Sequence, residues 1–129
     1  MKIAPDLIEE ILAHAREESP NECCGMIGGA DGQARTVYRA TNAEASPLRY
    51  SIDAKEQFDL MRKIEDTGEE LVGIYHSHTH SEAYPSKTDR RLAFYPDSRY
   101  LLLSVADREQ PVLRSFFIRD GEVTPEPGP

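Results

Sequence analysis

The sequence predicts one mixed α/β domain in which a β-sheet is flanked by helices. Three observations lead there: two stretches with apolar residues at helical spacing, several short apolar runs around them, and a length of 129 residues without internal repeat or linker. A chain of this size buries roughly two-thirds of the surface it exposes when unfolded, which supports one core and leaves little room for a second.

Leu7, Ile8, Ile11, Leu12 and Ala15 recur at helical spacing over residues 5–18 and predict an amphipathic first helix packed on the sheet. Residues 22–29, a weakly polar run entered from Pro20-Asn21, read as a short buried strand that begins with Glu22. Strands are expected near residues 35–39 and 49–52. A second helix is expected over residues 54–66, with Phe58, Met61 and Ile64 or positions near them toward the core and Gly68 ending it. Leu71-Val72-Gly73-Ile74-Tyr75 predicts a buried strand over residues 70–78. Ser86-Lys87-Thr88-Asp89 fits the cap of a short helix reaching about Phe94. Strands are expected again at residues 100–106 and 113–119, with Asp120-Gly121 as a hairpin turn. The domain is assigned to residues 1–124, and the proline-rich end, residues 125–129 with Thr124 before it, is expected to be disordered.

Chemistry concentrates between Tyr75 and Arg90. Alternate residues of a strand point to one face, so His76 and His78 project together while Ser77 faces the other way. Asp89, eleven residues past His78 and beyond a loop containing Pro85, can supply an oxygen. Two nitrogens and one oxygen suit zinc, one ion per chain. Three protein ligands leave a position for water, whose pKa zinc lowers from about 15.7 toward about 7, so hydrolysis is the natural chemistry. Such a reaction needs a base, and Glu22, partly desolvated at the edge of an apolar strand, is the candidate. Ser86 has two compatible readings: helix cap, or hydroxyl donor to the oxyanion formed when a carbonyl is attacked.

Glu22, then His76-Ser77-His78, seven residues, Ser86, two residues and Asp89 resemble the JAMM signature of the MPN-domain metalloproteases. Every defining position is matched, and the order of helix, strands and Glu22 extends the resemblance over almost the whole chain. It implies a JAB1/MPN domain with a cytidine-deaminase-like layered fold. It also implies His76, His78 and Asp89 as zinc ligands, Glu22 as general acid/base and Ser86 as oxyanion donor. Small stand-alone bacterial members of that family act on ubiquitin-like sulfur-carrier proteins, and this chain is similar to them. The resemblance therefore implies amide hydrolysis after a carrier's C-terminal Gly-Gly, releasing cysteine, with removal of longer C-terminal extensions or isopeptide cleavage as the alternatives. A non-catalytic MPN scaffold is the rival class, although such domains usually lack the ligands. Deaminase chemistry is set aside because the chain has no C-x-x-C spacing.

A Gly-Gly tail offers no side chains, so it is expected to be held as an added strand, with residues 82–85 and the basic Lys87, Arg90 and Arg91 bordering the groove. For those three basic residues an exposed charged helix face is an equally good reading. His80 is expected at the groove rim, not as a third imidazole ligand, and His14 at the surface or boundary. Cys23 and Cys24 are adjacent, cannot form a framework of disulfides, and are expected to be reduced and to pack in the core; a nucleophilic cysteine is the sharper alternative.

With 15 Lys and Arg against 23 Asp and Glu, the formal charge is −8, which argues against nucleic acid as a partner. No apolar run approaches the roughly 18 residues of a membrane span, and no secretory segment opens the chain, so the expected compartment is the cytoplasm.

Overall fold

The computed structural model describes residues 3–126. Its elements are α1 (Pro5–Glu18), β1 (Cys24–Ala30), β2 (Gln33–Ala40), α2 (Ala54–Asp66), β3 (Glu70–His78), α3 (Lys87–Arg91), β4 (Arg99–Ser104), β5 (Val112–Arg119) and β6 (Glu122–Pro125). The strands form a single sheet in the order β2-β1-β3-β4-β5-β6. Only β3 and β4 run parallel; every other neighbouring pair is antiparallel. The expected mixed sheet flanked by helices is thus present, with β3 near its middle.

The sheet separates two helical layers. Ile11, Leu7, Leu12 and Ala15 of α1 pack on Cys23, Ile27, Val72, Tyr75, Leu101 and Leu103. On the opposite face, Leu60 and Ile64 of α2 pack on Cys24, Met26 and Leu71. Alternation along the strands accounts for most of this division, and a bulge accounts for the rest. Between Ile27 and Gly28 the β1–β3 register passes from Gly73 to Leu71, skipping Val72. The extra residue resets the alternation, so Val72 and Tyr75 share the α1 face while Leu71 and Ile74 share the other.

Several local expectations are corrected. α2 buries Leu60 and Ile64, while Phe58 is 60% exposed and Met61 only half-buried, because the helix meets the sheet along a stripe rotated from the one read in the sequence. Residues 49–52 are not a strand; they belong to a loop held by side-chain hydrogen bonds from Asn42. α3 stops at Arg91, short of Phe94. Thr124 and Pro125 are not disordered: they pair with Phe117 and Phe116, and Glu126 reaches both Arg99 (3.0 Å) and Ser115 (2.7 Å). The remainder of the expected tail, residues 127–129, lies outside the described residues. Gly68, at φ +80°, does terminate α2, and Asp120-Gly121, both at positive φ, makes the two-residue turn between β5 and β6. Asp31-Gly32 makes the same turn between β1 and β2.

His14 is not at the surface. It is 3% exposed, and its Nδ1 lies 2.7 Å from the Tyr75 hydroxyl beneath α1. Tyr75 reaches that position by lying flat on Gly25, where an added Cβ would fall 2.3 Å from the ring. A helical stripe read by hydropathy alone assigns a histidine outward; a phenol rising from the sheet makes the inward position satisfied.

Burial, with the Arg39 guanidinium next, holds the His14 imidazole below its ordinary 6.5, against the opposing carboxylates of Glu18 and Glu17. The unfolded chain therefore takes up a proton that the folded chain resists. This contribution to stability is complete above pH 6.5 and is lost as pH falls toward the folded pKa. Urea unfolding is expected to show a loss of stability below pH 6.5 that is less steep in His14→Gln. At pH 8, Tyr75→Phe is expected to cost about 1–3 kcal/mol, since it strips a buried ring nitrogen of its partner.

Candidate metal centre

Strand geometry brings the first two groups of the site together. His76 and His78 extend from the C-terminal end of β3 on the face opposite α1, and both are buried. Ser77 points the other way, where its hydroxyl accepts the Cys23 N–H at 2.8 Å and so fastens the entrance of β1 to β3. The His78 Nδ1–H donates to the Glu82 carbonyl at 2.8 Å, which turns Nε2 toward the site. The His76 ring is instead stacked on Tyr50, centroids 4.4 Å apart and planes 25° from parallel.

Asp89 arrives from α3. That helix is only five residues long and is held by a capping box: Ser86 Oγ accepts the Asp89 N–H at 3.0 Å, and Asp89 Oδ2 accepts the Ser86 N–H at 2.9 Å. The same Oδ2 lies 3.1 Å from His76 Nε2 and 3.1 Å from His78 Nε2, and the two nitrogens are 3.3 Å apart. Three donor atoms thus mark a nearly equilateral triangle. A tetrahedral ion with ligand distances of about 2.0–2.1 Å has edges of about 3.3 Å, so the triangle has the size of one face of such a site. A lone proton cannot bridge all three atoms, whereas a cation capping the triangle satisfies each.

Glu22 stands beside this triangle, two residues before the start of β1 and not within it as the sequence suggests. It is 4% exposed, its Oε1 has no hydrogen-bond partner among the described residues, and its carboxylate forms with His76 and His78 a group that can hold a metal ion, ligand atoms within 4.8 Å of one another. Burial pushes this carboxyl up to about 7; the nearby His78 opposes the rise and Asp89 adds to it. For Asp89 the balance is reversed. Burial raises its pKa, but the two imidazoles and the Ser86 N–H outweigh burial and hold it well below the usual carboxylate range. Burial dominates at His76 and lowers it; at His78 burial is outweighed by the Asp89 and Glu82 hydrogen bonds, and the imidazole is raised. One oxygen thus carries negative charge between two imidazoles, with a second, readily protonated carboxyl beside them.

Ser86 caps α3, and because its oxygen accepts the Asp89 N–H its own proton stays free to be donated. His80 is exposed and hydrogen-bonded to Thr79 at 2.8 Å, outside the triangle. Cys23 and Cys24 are free, fully buried thiols; burial pushes Cys23 up to about 11 and Cys24 higher still, which favours the packing reading over the nucleophile. A cavity of about 250 Å³ opens from Asp89 between α2 and the segment after α3, with Tyr50, Ile52, Ile74, Leu92 and Phe94 among its walls. The strand expected at residues 49–52 gives Tyr50 no role at the site, and nothing in its neighbours' hydropathy marks a ring that leaves its loop to cover a histidine.

Among the described residues no helix is long and apolar enough to cross a membrane. Residues 4–119 match the family described as prokaryotic homologs of the JAB domain. The chain is 47% identical over 127 residues to the CysO-cysteine peptidase of Mycobacterium tuberculosis, covering 97% of this chain and 87% of that protein. It is 40% identical over 112 residues to the desampylase of Haloferax volcanii, covering 81% and 80% of the two chains. The solution structure of a protein from Desulfitobacterium hafniense has a similar fold, with a TM-score of 0.87 at 39% identity over 95% of this chain and 87% of that one.

Because Ser86 is a cap, Ser86→Ala is expected to cost about 0.5–2 kcal/mol in denaturant unfolding and Ser86→Gly only a few tenths.

Proposed function

The chain belongs to the prokaryotic homologs of the JAB domain, and from that membership we propose that it is a zinc peptidase that cuts the amide bond after the C-terminal Gly-Gly of a ubiquitin-like sulfur carrier, releasing cysteine. The observation that carries the reading is the Asp89–His76–His78 triangle with a buried, proton-accepting Glu22 beside it. The name and the 47% identity of the mycobacterial relative support the substrate. Two imidazole nitrogens and one carboxylate oxygen support zinc over harder cations, which prefer all-oxygen sites.

His76, His78 and Asp89 would hold the zinc. When bound, the metal supplies a Lewis acid and brings the pKa of its water toward neutrality. Glu22 takes a proton from the attacking water and returns it to the departing amine nitrogen of cysteine, so the carboxyl ends the cycle as it began. Ser86 donates its free O–H to the carbonyl oxygen as charge develops there. The carrier's tail is held through its main chain, since Gly-Gly has no side chain to grip, and the apolar cavity beside Asp89 flanks its path. Buried free thiols and a resident zinc site suit the reducing cytoplasm, where we place the reaction.

A second reading, release of a ubiquitin-like modifier from a protein, is favoured by the 40% identity to the haloarchaeal desampylase. Both readings use the same groups and differ only in the amine that leaves.

Intact-mass analysis of a carrier–Gly-Gly–cysteine adduct tests the reading. Wild type with zinc is expected to remove one cysteine; no loss with zinc bound would reject the cysteine adduct as substrate, and cleavage of a lysine-linked conjugate alone would select the second reading. Glu22→Gln is expected to retain zinc and lower kcat by about 10²–10⁴, whereas His76→Ala is expected to lose zinc as well. Ser86→Gly, which removes the hydroxyl and its cap bond but leaves a residue well tolerated at an N-cap, is expected to lower kcat by about 10²–10³ at nearly unchanged stability.

A further inference from the structure

Residues 41–53 join β2 to α2 without forming regular structure, yet one side chain within them satisfies its full hydrogen-bonding capacity. Asn42 Nδ2 donates to the carbonyls of Glu22 and Arg49, both at 3.0 Å, and Oδ1 accepts the N–H groups of Glu44 at 3.0 Å and Ser51 at 3.2 Å. An amide has two N–H donors and two acceptor lone pairs, so nothing is left over. The Ala43 N–H also donates to the Ser51 carbonyl at 2.9 Å and closes the loop on itself.

The loop touches the site at two points. Glu22 precedes β1 and gains no ladder bond from it; its N–H donates to the Ser46 carbonyl at 2.9 Å and its carbonyl accepts from Asn42. Both main-chain groups of the candidate base are therefore held by this loop. At the second point Tyr50, one residue after the Arg49 carbonyl that Asn42 grips, lays its ring on His76. The two imidazoles of the triangle differ here. His78 is oriented by a hydrogen bond from Nδ1 to Glu82, whereas His76 Nδ1 is buried with no hydrogen-bond partner among the described residues. Ring stacking takes over the orienting function that a hydrogen bond normally performs for a metal-binding histidine.

We propose that the 41–53 loop is a clamp, with Asn42 as its hub and Tyr50 as its bearing surface, that positions the Glu22 carboxylate and the His76 imidazole relative to one another. Asn42 and Tyr50 are positioning residues; neither acts on the substrate. The clamp rests on the assignment of Glu22 and His76 made above. It gives a physical reason why an irregular loop is so heavily bonded: two groups that must act together come from the segment before β1 and from the end of β3, and the loop contacts both.

The test uses the full chain and reads zinc affinity separately from turnover. Zinc is titrated in competition with a chromophoric chelator, with no carrier present, and kcat and KM are then measured on the carrier–cysteine adduct. Tyr50→Leu is expected to weaken zinc about 10–100-fold, and Tyr50→Phe, which keeps the ring, to restore it to within about threefold of wild type. Asn42→Asp, equal in size but without the two donors, is expected to lower kcat by about tenfold or more with KM within about threefold. Folding is checked by circular dichroism at each step. Wild-type zinc affinity in Tyr50→Leu, or a Tyr50→Phe variant as weak as Tyr50→Leu, overturns the clamp. A folded Asn42→Asp with wild-type kcat does the same; should that variant not fold, the Tyr50 pair decides alone. Wild type that binds no zinc overturns the zinc assignment and the clamp with it, whereas the expected zinc affinities without cysteine release support the clamp and reject only the substrate.

Discussion

A single carboxylate oxygen, Asp89 Oδ2, ties the short third helix to the central strand. It accepts the N–H that caps α3 and sits equidistant from the two imidazole nitrogens of β3. A five-residue helix is too short to be stable alone, so its position depends on these bonds. The cap fixes Asp89 and Asp89 fixes the cap, which makes the histidine face of β3 and the helix one cooperative unit. Ser86 belongs to that unit whatever else its hydroxyl does.

The two faces of the sheet divide the work. Under α1 the packing is mainly apolar, and its polar groups, His14, Tyr75 and Ser77, are paired internally. That face supplies stability. Toward α2 and α3 the sheet carries charge into the interior, with two imidazoles and two carboxylates close together. Desolvating such groups is unfavourable without compensation. The compensation is unequal: Asp89 Oδ2 accepts the Ser86 N–H and lies within 3.1 Å of both imidazole nitrogens, while Glu22 Oε1 has no hydrogen-bond partner among the described residues. The unequal pKa directions of the two carboxyls follow from that contrast, one kept ionised and the other poised to exchange a proton near neutrality.

The bulge at Val72 and the pairing of Cys24 with His76 place these groups in register. Glu22 lies two residues before that pair, so the start of β1 brings the candidate base to the end of β3 where the histidines emerge. Ser77, on the reverse face, secures the same junction through the Cys23 N–H. Fold and site are linked here by backbone register, and a shift of one residue would turn both histidines toward α1.

The shared face of His76 and His78, both long helices and most strands were legible from the sequence because each rests on short-range regularity: alternation in His76-Ser77-His78, helical spacing in residues 5–18, cap chemistry at Ser86 and Asp89, and turn chemistry at Asp120-Gly121. Periodicity is a local property, and a chain reports it without being folded. What tertiary structure decided depends on which distant groups meet. His14 is buried because a phenol sixty-one residues away rises to meet it, and Phe58 is exposed because α2 turns Leu60 to the sheet instead. Residues 124–126 are ordered because β5 offers an open edge and Arg99 a charge. Tyr50 covers His76 because Asn42 folds its loop back. The sequence alone determined which groups are available to bind a metal and move a proton; the fold decided their separations and their solvation, on which the pKa of every one of them depends.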